Sequence, residues 1–351
     1  MLKPCSSARA IVLAVLVACS TPACNSISSD QEQLLSTYLE NAAQYYDGGH
    51  FQRAYQQWDQ ALAMDSGNQK ARFGQAMALY QMGRIETTKA IEGPLTQATF
   101  RLDELRKENF DKDQWKVELG VAMVHGRWCE IYERKLRVMA EQETKGVPRD
   151  EKLVATVKSE FARHVAISEQ AFKNVLEGSE KDPRDRLTCW LGLARISAWR
   201  DDLPASLEYA NLYLGQVVRS KQLWKDSAER YPKEAPIYEA KQAGAALQEA
   251  DLRDLMGAVL FRLGREDEAE VQVNKVLEMF PQRASAYLNR GILRQMRGDD
   301  DLARGDFKRF LNYVDLPDND PSILEATRRL AEVESRLATQ DAADRATPSP
   351  Q

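Results

Sequence analysis

The sequence predicts an all-α fold, a solenoid of antiparallel helical hairpins with long-helix insertions and a C-terminal capping helix. Three observations predict it. Glycine (18) and proline (13) are sparse among 351 residues, and the strong helix formers Ala, Leu, Glu, Gln, Arg and Lys dominate. A pattern of small and apolar residues near the C-terminus returns after 34 residues. The same pattern recurs near the N-terminus, beyond two long stretches of helical periodicity.

The period is plainest in two adjoining windows. Gly257, Gly264, Ala269 and Val273 precede Pro281, and Gly291, Gly298, Ala303 and Phe307 each stand 34 residues further on. The first small residue lets a second helix approach closely. The second glycine ends the first helix and turns the chain. Alanine sits where the helices cross, the bulky residue fills the space toward the next repeat, and proline ends the pair because it has no amide hydrogen to donate. Tyr38, Ala42, Tyr45, Gly49, Phe51, Ala54, Trp58 and Ala61 repeat the scheme, and Ala76, Leu79 and Gly83 follow one period later. A middle copy holds Trp190, Leu193, Ala194, Leu203, Ser206, Ala210 and Tyr213. The repeat-like units are 35–68, 69–102, 187–220, 250–283 and 284–317. In length and residue pattern they resemble the tetratricopeptide repeat (TPR).

These units divide the chain into an N-terminal pair at 35–102 and a C-terminal pair at 250–317. Between them, 103–183 reads as a long-helix insertion, with helical patterns over Gln114 to Thr144 and Glu151 to Leu176 broken at Gly146-Val147-Pro148. Residues 184–249 read as a degenerate repeat with extended helices. Asp320-Pro321-Ser322 starts a capping helix over 318–340, whose Arg- and Glu-rich face suits the exposed end of a solenoid. The tail 341–351 is too polar and proline-rich to fold.

The N-terminus reads as an address. Lys3 and Arg9 precede an apolar run from Ala10 to Ala18, which is too short to span a bilayer but suits a secretory signal. The run ends in Leu16-Val17-Ala18-Cys19, which resembles the lipobox of bacterial lipoproteins. That resemblance implies cleavage of 1–18 and a lipid on Cys19, with 19–34 as a flexible tether. Ser20 after the cysteine implies delivery to the outer membrane, facing the periplasm, under enteric-type sorting. Two alternatives stay open: an ordinary signal cut near Ala23, and an uncleaved anchor. Thr21-Pro22-Ala23-Cys24 is a weaker competing box.

The resemblance to TPR arrays implies that the first helix of each hairpin lines a concave, partner-binding face. Residues 2, 5, 9, 12 and 13 of each unit usually point into it. Carried onto the first two units, these positions give Leu39, Tyr46, Phe73, Met77 and Tyr80; on the last two they give Phe261, Arg262, Leu288, Ile292 and Met296. Such a face suits an amphipathic helix or an extended apolar segment. The Lys and Asn of a TPR carboxylate clamp are replaced by Leu39 and Ala43, then Phe73 and Met77. Folding of 101–183 or of the tether into the groove would cover the same residues.

No nucleophile elbow, phosphate loop or zincin motif is present, so no enzyme, cofactor or metal is expected. His125 and Cys129 stand four apart on a helix, but without a third ligand they read as core. Asp299-Asp300-Asp301 lacks the spacing of a calcium loop and reads as a solvated turn capping the next helix. Cys24, Cys129 and Cys189 allow one disulfide of undetermined pairing. The net charge of −5, without a basic patch, argues against nucleic acid.

The expected function is a membrane-anchored scaffold that binds protein partners of the cell envelope. The alternatives are a carrier of lipid or polysaccharide, or a non-catalytic subunit of an envelope enzyme. A far-UV circular dichroism spectrum of the purified chain is expected to be helical with no strand component; substantial strand signal would contradict the fold.

Overall fold

The computed structural model describes residues 28–85, 92–108, 113–144, 146–178 and 183–346. The signal segment 1–18, Cys19, the tether up to residue 27 and the last five residues of the tail lie outside them. Among the described residues there are thirteen helices and no strand. They are α1 (Ser29–Asp47), α2 (Phe51–Met64), α3 (Gln69–Ile85), α4 (Glu92–Lys107), α5 (Gln114–Thr144), α6 (Glu151–Gly178), α7 (Pro183–Trp199), α8 (Leu203–Arg230), α9 (Ala235–Arg262), α10 (Glu266–Met279), α11 (Ala284–Arg297), α12 (Asp300–Tyr313) and α13 (Pro321–Ala346). Each packs on its successor, so the chain is a run of antiparallel TPR-type hairpins closed by α13.

Local chemistry sets the helix ends. Helix α1 starts inside the expected tether because Ser28 and Gln31 form a capping box: the Gln31 amide donates to Ser28 Oγ (3.3 Å) and the Ser28 amide to Gln31 Oε1 (3.0 Å). Asp202 caps α8, accepting the Ala205 amide (3.3 Å), with Pro204 in the first turn. Other boundaries also moved. Helix α4 runs through residue 103, α9 is continuous through 250, and α13 extends past 340 to Ala346.

The turn between paired helices uses one backbone state. Gly49, Gly264 and Gly298 occupy the same place in their units and have φ of +76°, +72° and +84°. The middle unit has no glycine there. Asp201 takes the place with φ +65°, the one non-glycine with positive φ among the described residues. The Asp299–Asp301 turn differs from the expected cap: Asp299 makes no side-chain cap bond, and Asp300 instead binds Arg336 of α13 through both guanidinium nitrogens (2.7 and 2.6 Å).

Bulky residues set against glycines join neighbouring helices, both between hairpins and within one. An added Cβ at Gly74 would overlap the Trp58 ring, and one at Gly192 would overlap Phe172. One at Gly291 would stand 2.7 Å from Phe307. Where apolar volume is short, ions take over. Asp306 of α12 is fully buried and accepts from Nε and Nη2 of Arg290 (2.9 and 2.8 Å) and from Nη1 of Arg294 (2.8 Å). Arg294 and Arg297 reach back to Glu270 (3.3 and 2.5 Å), which joins α10, α11 and α12.

Successive odd-numbered helices touch, whereas no successive even-numbered pair packs comparably among the described residues. The odd helices therefore line the inner, concave side. The segment read as an insertion forms one long hairpin, α5 and α6, within this stack. Its length has a consequence: α5 also meets α13, where Arg134 donates to Asp320 Oδ2 (2.7 Å). Asp320 is itself buried and takes the Ser322 amide at the start of α13 (2.9 Å). Gln295 links α11 to α13 through Arg329 (2.9 Å), so α5, α7, α9, α11 and α13 close on one another.

The left-handed turn at Asp201 gives a direct test. Asp201→Val is expected to lower stability by about 1–2 kcal/mol, because a β-branched residue resists this φ. Asp201→Gly is expected to be neutral or stabilising, since the exposed ion pair it loses contributes little. Urea unfolding checks both; a valine variant as stable as wild type would contradict the strain.

Candidate interaction groove

The concave wall opens at its middle into a cavity of about 450 Å³, a size common for ligand or side-chain anchor pockets. Tyr80 of α3 and Phe172 of α6 line it. Helix α5 supplies Ala122, Met123, Gly126, Arg127 and Glu130. Helix α7 supplies Thr188, Leu191, Gly192, Arg195, Ile196 and Trp199. The spacing of Thr188, Leu191, Arg195 and Trp199 places them on one helix face. In unit 187–220 they occupy places 2, 5, 9 and 13, which the TPR resemblance assigns to the concave side.

The charges in this wall are unequal. Arg127 Nη1 donates to Glu130 Oε2 (2.7 Å) and Arg195 Nη1 to Glu130 Oε1 (3.1 Å), so two guanidinium groups share one carboxylate. Arg127 Nε is buried and has no hydrogen-bond partner among the described residues. The cavity thus combines an apolar, aromatic lining with one excess positive charge.

The ten residues expected on the concave face are dispersed. Tyr80 is buried and lines the cavity. Phe73 and Met77 are partly buried against α5, where an added Cβ at Gly120 would meet both. Leu39 and Tyr46 belong to the N-terminal cluster; Tyr46 lies 5.7 Å from the Trp58 ring and accepts from Gln81 (3.1 Å). Phe261 and Leu288 pack on the C-terminal core, and Ile292 packs toward α13 beside Phe307 and Val333. Arg262 donates to the Ala198 carbonyl (2.8 Å) and to Asp201 (2.6 Å). Met296 is 60% exposed. The cavity was missed because the concave register was carried onto the outer four units only; the same register on unit 187–220 finds Thr188, Leu191, Arg195 and Trp199.

A second polar cluster lies inside the α5/α6 hairpin. His125 and His164 are both buried, with their Nδ1 atoms 2.7 Å apart. Arg163 can only donate, so His164 Nε2 accepts from it (2.9 Å). Neutral His164 then carries its proton on Nδ1 and donates to His125 Nδ1. His125 Nε2–H faces Asp103 Oδ1 at 3.6 Å, too long for a hydrogen bond. Burial, the neighbouring His125 and Arg163 push His164 down to about 3, against the pull of Asp103. Trp128 and Tyr132 cover its ring at centroid distances of 5.6 and 5.5 Å. Cys129 and Cys189 are free, buried thiols, so they do not form the disulfide with each other that the sequence allowed; burial pushes both up to about 12. Cys24 lies outside the described residues. No group of three His, Cys, Asp or Glu is assembled to hold a metal among the described residues.

Searched against protein-family models and against curated proteins, the sequence has no match. Among solved structures, it is similar to a thermophilic TPR protein of Thermus thermophilus, with 13% identity, a TM-score of 0.36, and coverage of 72% of this chain and 94% of that one. It is also similar to a tetratricopeptide repeat protein from Parabacteroides merdae, with 16% identity, a TM-score of 0.36, and coverage of 84% and 99%. At these identities the likeness is one of architecture alone.

The histidine pair carries a pH dependence with a defined sign. The unfolded chain binds a proton at His164 below about pH 6.5, and the folded chain does not until about pH 3. This contribution of His164 is therefore complete above pH 6.5 and is lost as pH falls from there toward 3. The slope is about 1.4 kcal/mol per pH unit for one proton. Urea unfolding at pH 7 and pH 5 is expected to show this loss, and His164→Gln is expected to remove it; equal slopes in the two proteins would contradict it.

Proposed function

We propose that the chain is a lipid-anchored scaffold of the bacterial cell envelope that docks protein partners on its concave wall, with Cys19 as the lipidated residue at the outer membrane. The observation that carries this reading is the cavity between α5 and α7, set in the inner face of a curved hairpin array. A repeat array spends its packing positions on contacts between neighbours and leaves the inner faces of its first helices free to serve as contact surfaces. The cavity walls hold anchors suited to side-chain recognition, with Trp199 and Tyr80 as aromatic surface and Arg195 as a charged contact. Among the described residues no helix is long and apolar enough to cross a membrane. Under this reading attachment is through the lipid at Cys19. The excess arginine charge favours a polar, protein-docking pocket over an apolar lipid carrier.

The test uses the full-length tagged protein in crosslinked cells of its bacterial host. Wild type is expected in the membrane fraction with a dominant co-purifying protein. Cys19→Ser is expected to leave the membrane pellet. Leu191→Glu is expected to stay anchored and helical while losing that protein by about tenfold or more, the effect of removing one modest contact. Unchanged co-purification with Leu191→Glu would contradict docking in the groove, and retention of Cys19→Ser on the membrane would contradict the anchor.

A further inference from the structure

The charge imbalance in the cavity points to a particular ligand chemistry. Arg127 and Arg195 share Glu130, so the trio is one positive charge in excess. Arg195 is the donor an anion can reach: its side chain is 40% exposed on the cavity wall, and Glu130 takes only one of its nitrogens. Around these donors stand Tyr80, Phe172, Leu191 and Trp199, so the anion is expected to sit on an apolar body. One excess charge suits a monoanionic carboxylate better than a phosphate dianion, and a guanidinium fork matches carboxylate geometry.

The same helix face already receives a protein carboxylate. Arg134 lies one turn beyond Glu130 on α5 and two turns beyond Arg127. It binds Asp320, which comes from the far end of the array and starts α13 beside the partly buried Ile323. The chain's own Asp320 thus docks on one end of this helix face, and the cavity occupies the other.

We propose that the cavity takes the carboxylate of an Asp or Glu side chain, flanked by apolar residues, from a docked protein segment. The proposal deepens the scaffold reading and rests on it. The acid meets the exposed guanidinium of Arg195, beside the Arg127–Glu130 pair, and the flanking apolar side chains lie on Trp199 and Leu191.

The test presents the full-length protein in detergent with two libraries of capped heptapeptides, identical except that the central residue is Asp in one and Asn in the other. The Asp library is expected to be retained about tenfold more strongly, with apolar residues enriched beside the acid. Arg195→Gln is expected to abolish that preference, while Arg200→Gln, outside the cavity, leaves it intact. Equal retention of the two libraries, or an Asp preference that survives Arg195→Gln, would overturn the proposal. So would a cavity that takes free 3-phenylpropionate and not its amide while retaining neither library; that result assigns a small-molecule carboxylate site. In cells, loss of the co-purifying protein from Leu191→Glu but not from Arg195→Gln would leave the scaffold reading standing and the carboxylate proposal refuted. Retention in both would refute the scaffold reading itself.

Discussion

A bulky side chain pressed onto a glycine is the contact on which the rest of the array depends. Trp58 on Gly74, Phe172 on Gly192 and Phe307 on Gly291 each need a helix surface without a Cβ. That absence lets two helix axes approach closely, and the ring fills the volume between them to interior density. At Trp58 and Phe172 the joint sets how one hairpin leans on the next, and at Phe307 it closes α11 on α12 within a hairpin. Phe172 has two roles, since its ring packs α6 against Gly192 of α7 and also lines the cavity. Fold and groove therefore share a residue, and a side chain added at Gly192 would disturb both.

Curvature follows from unequal helices. The odd-numbered helices meet along the inner side, and the long α5 carries that wall far enough to touch the start of α13. Where α5 meets α13 the closure is an ion pair, Arg134 on Asp320, whereas between α11 and α13 Gln295 and Arg329 add to an apolar seam of Ile292, Phe307 and Val333. The joint around Asp306 is polar as well, with three nitrogens from two arginines on one buried carboxylate. Removing one member of such a network strands a buried charge, so these contacts fix register more than they add stability. The histidine pair has the same character: a directed hydrogen-bond chain, Arg163 to His164 to His125, pins α5 to α6 in a hairpin longer than the repeats on either side.

Much of this was legible in the sequence. The 34-residue period located α1, α2, α9, α10, α11 and α12, because each depends on small residues whose spacing survives as pattern. Gly49, Gly264 and Gly298 marked the turns because only a few residue types tolerate positive φ. Asp201 was opaque for the same reason: it takes that φ without being glycine. The His125–His164 contact joins residues 39 apart, and Arg134–Asp320 joins residues 186 apart; neither separation belongs to any helical period. Of the expected concave residues, Tyr80 alone lines the cavity, while Phe73 and Met77 are held by α5. The long α5/α6 hairpin, read as an interruption of the solenoid, supplies much of the cavity wall.

The proposed scaffold role requires that partners meet the concave wall between α5 and α7. Site-specific photocrosslinking in living cells tests it most directly, with a photoreactive residue placed at Met123 or Leu191 in the cavity, or at the exposed Gln170 or Glu208 on the even-numbered helices. The account predicts protein adducts from Met123 and Leu191 and none of the same size from Gln170 or Glu208. Adducts from the even-numbered helices alone would contradict it and move the docking surface to the convex side.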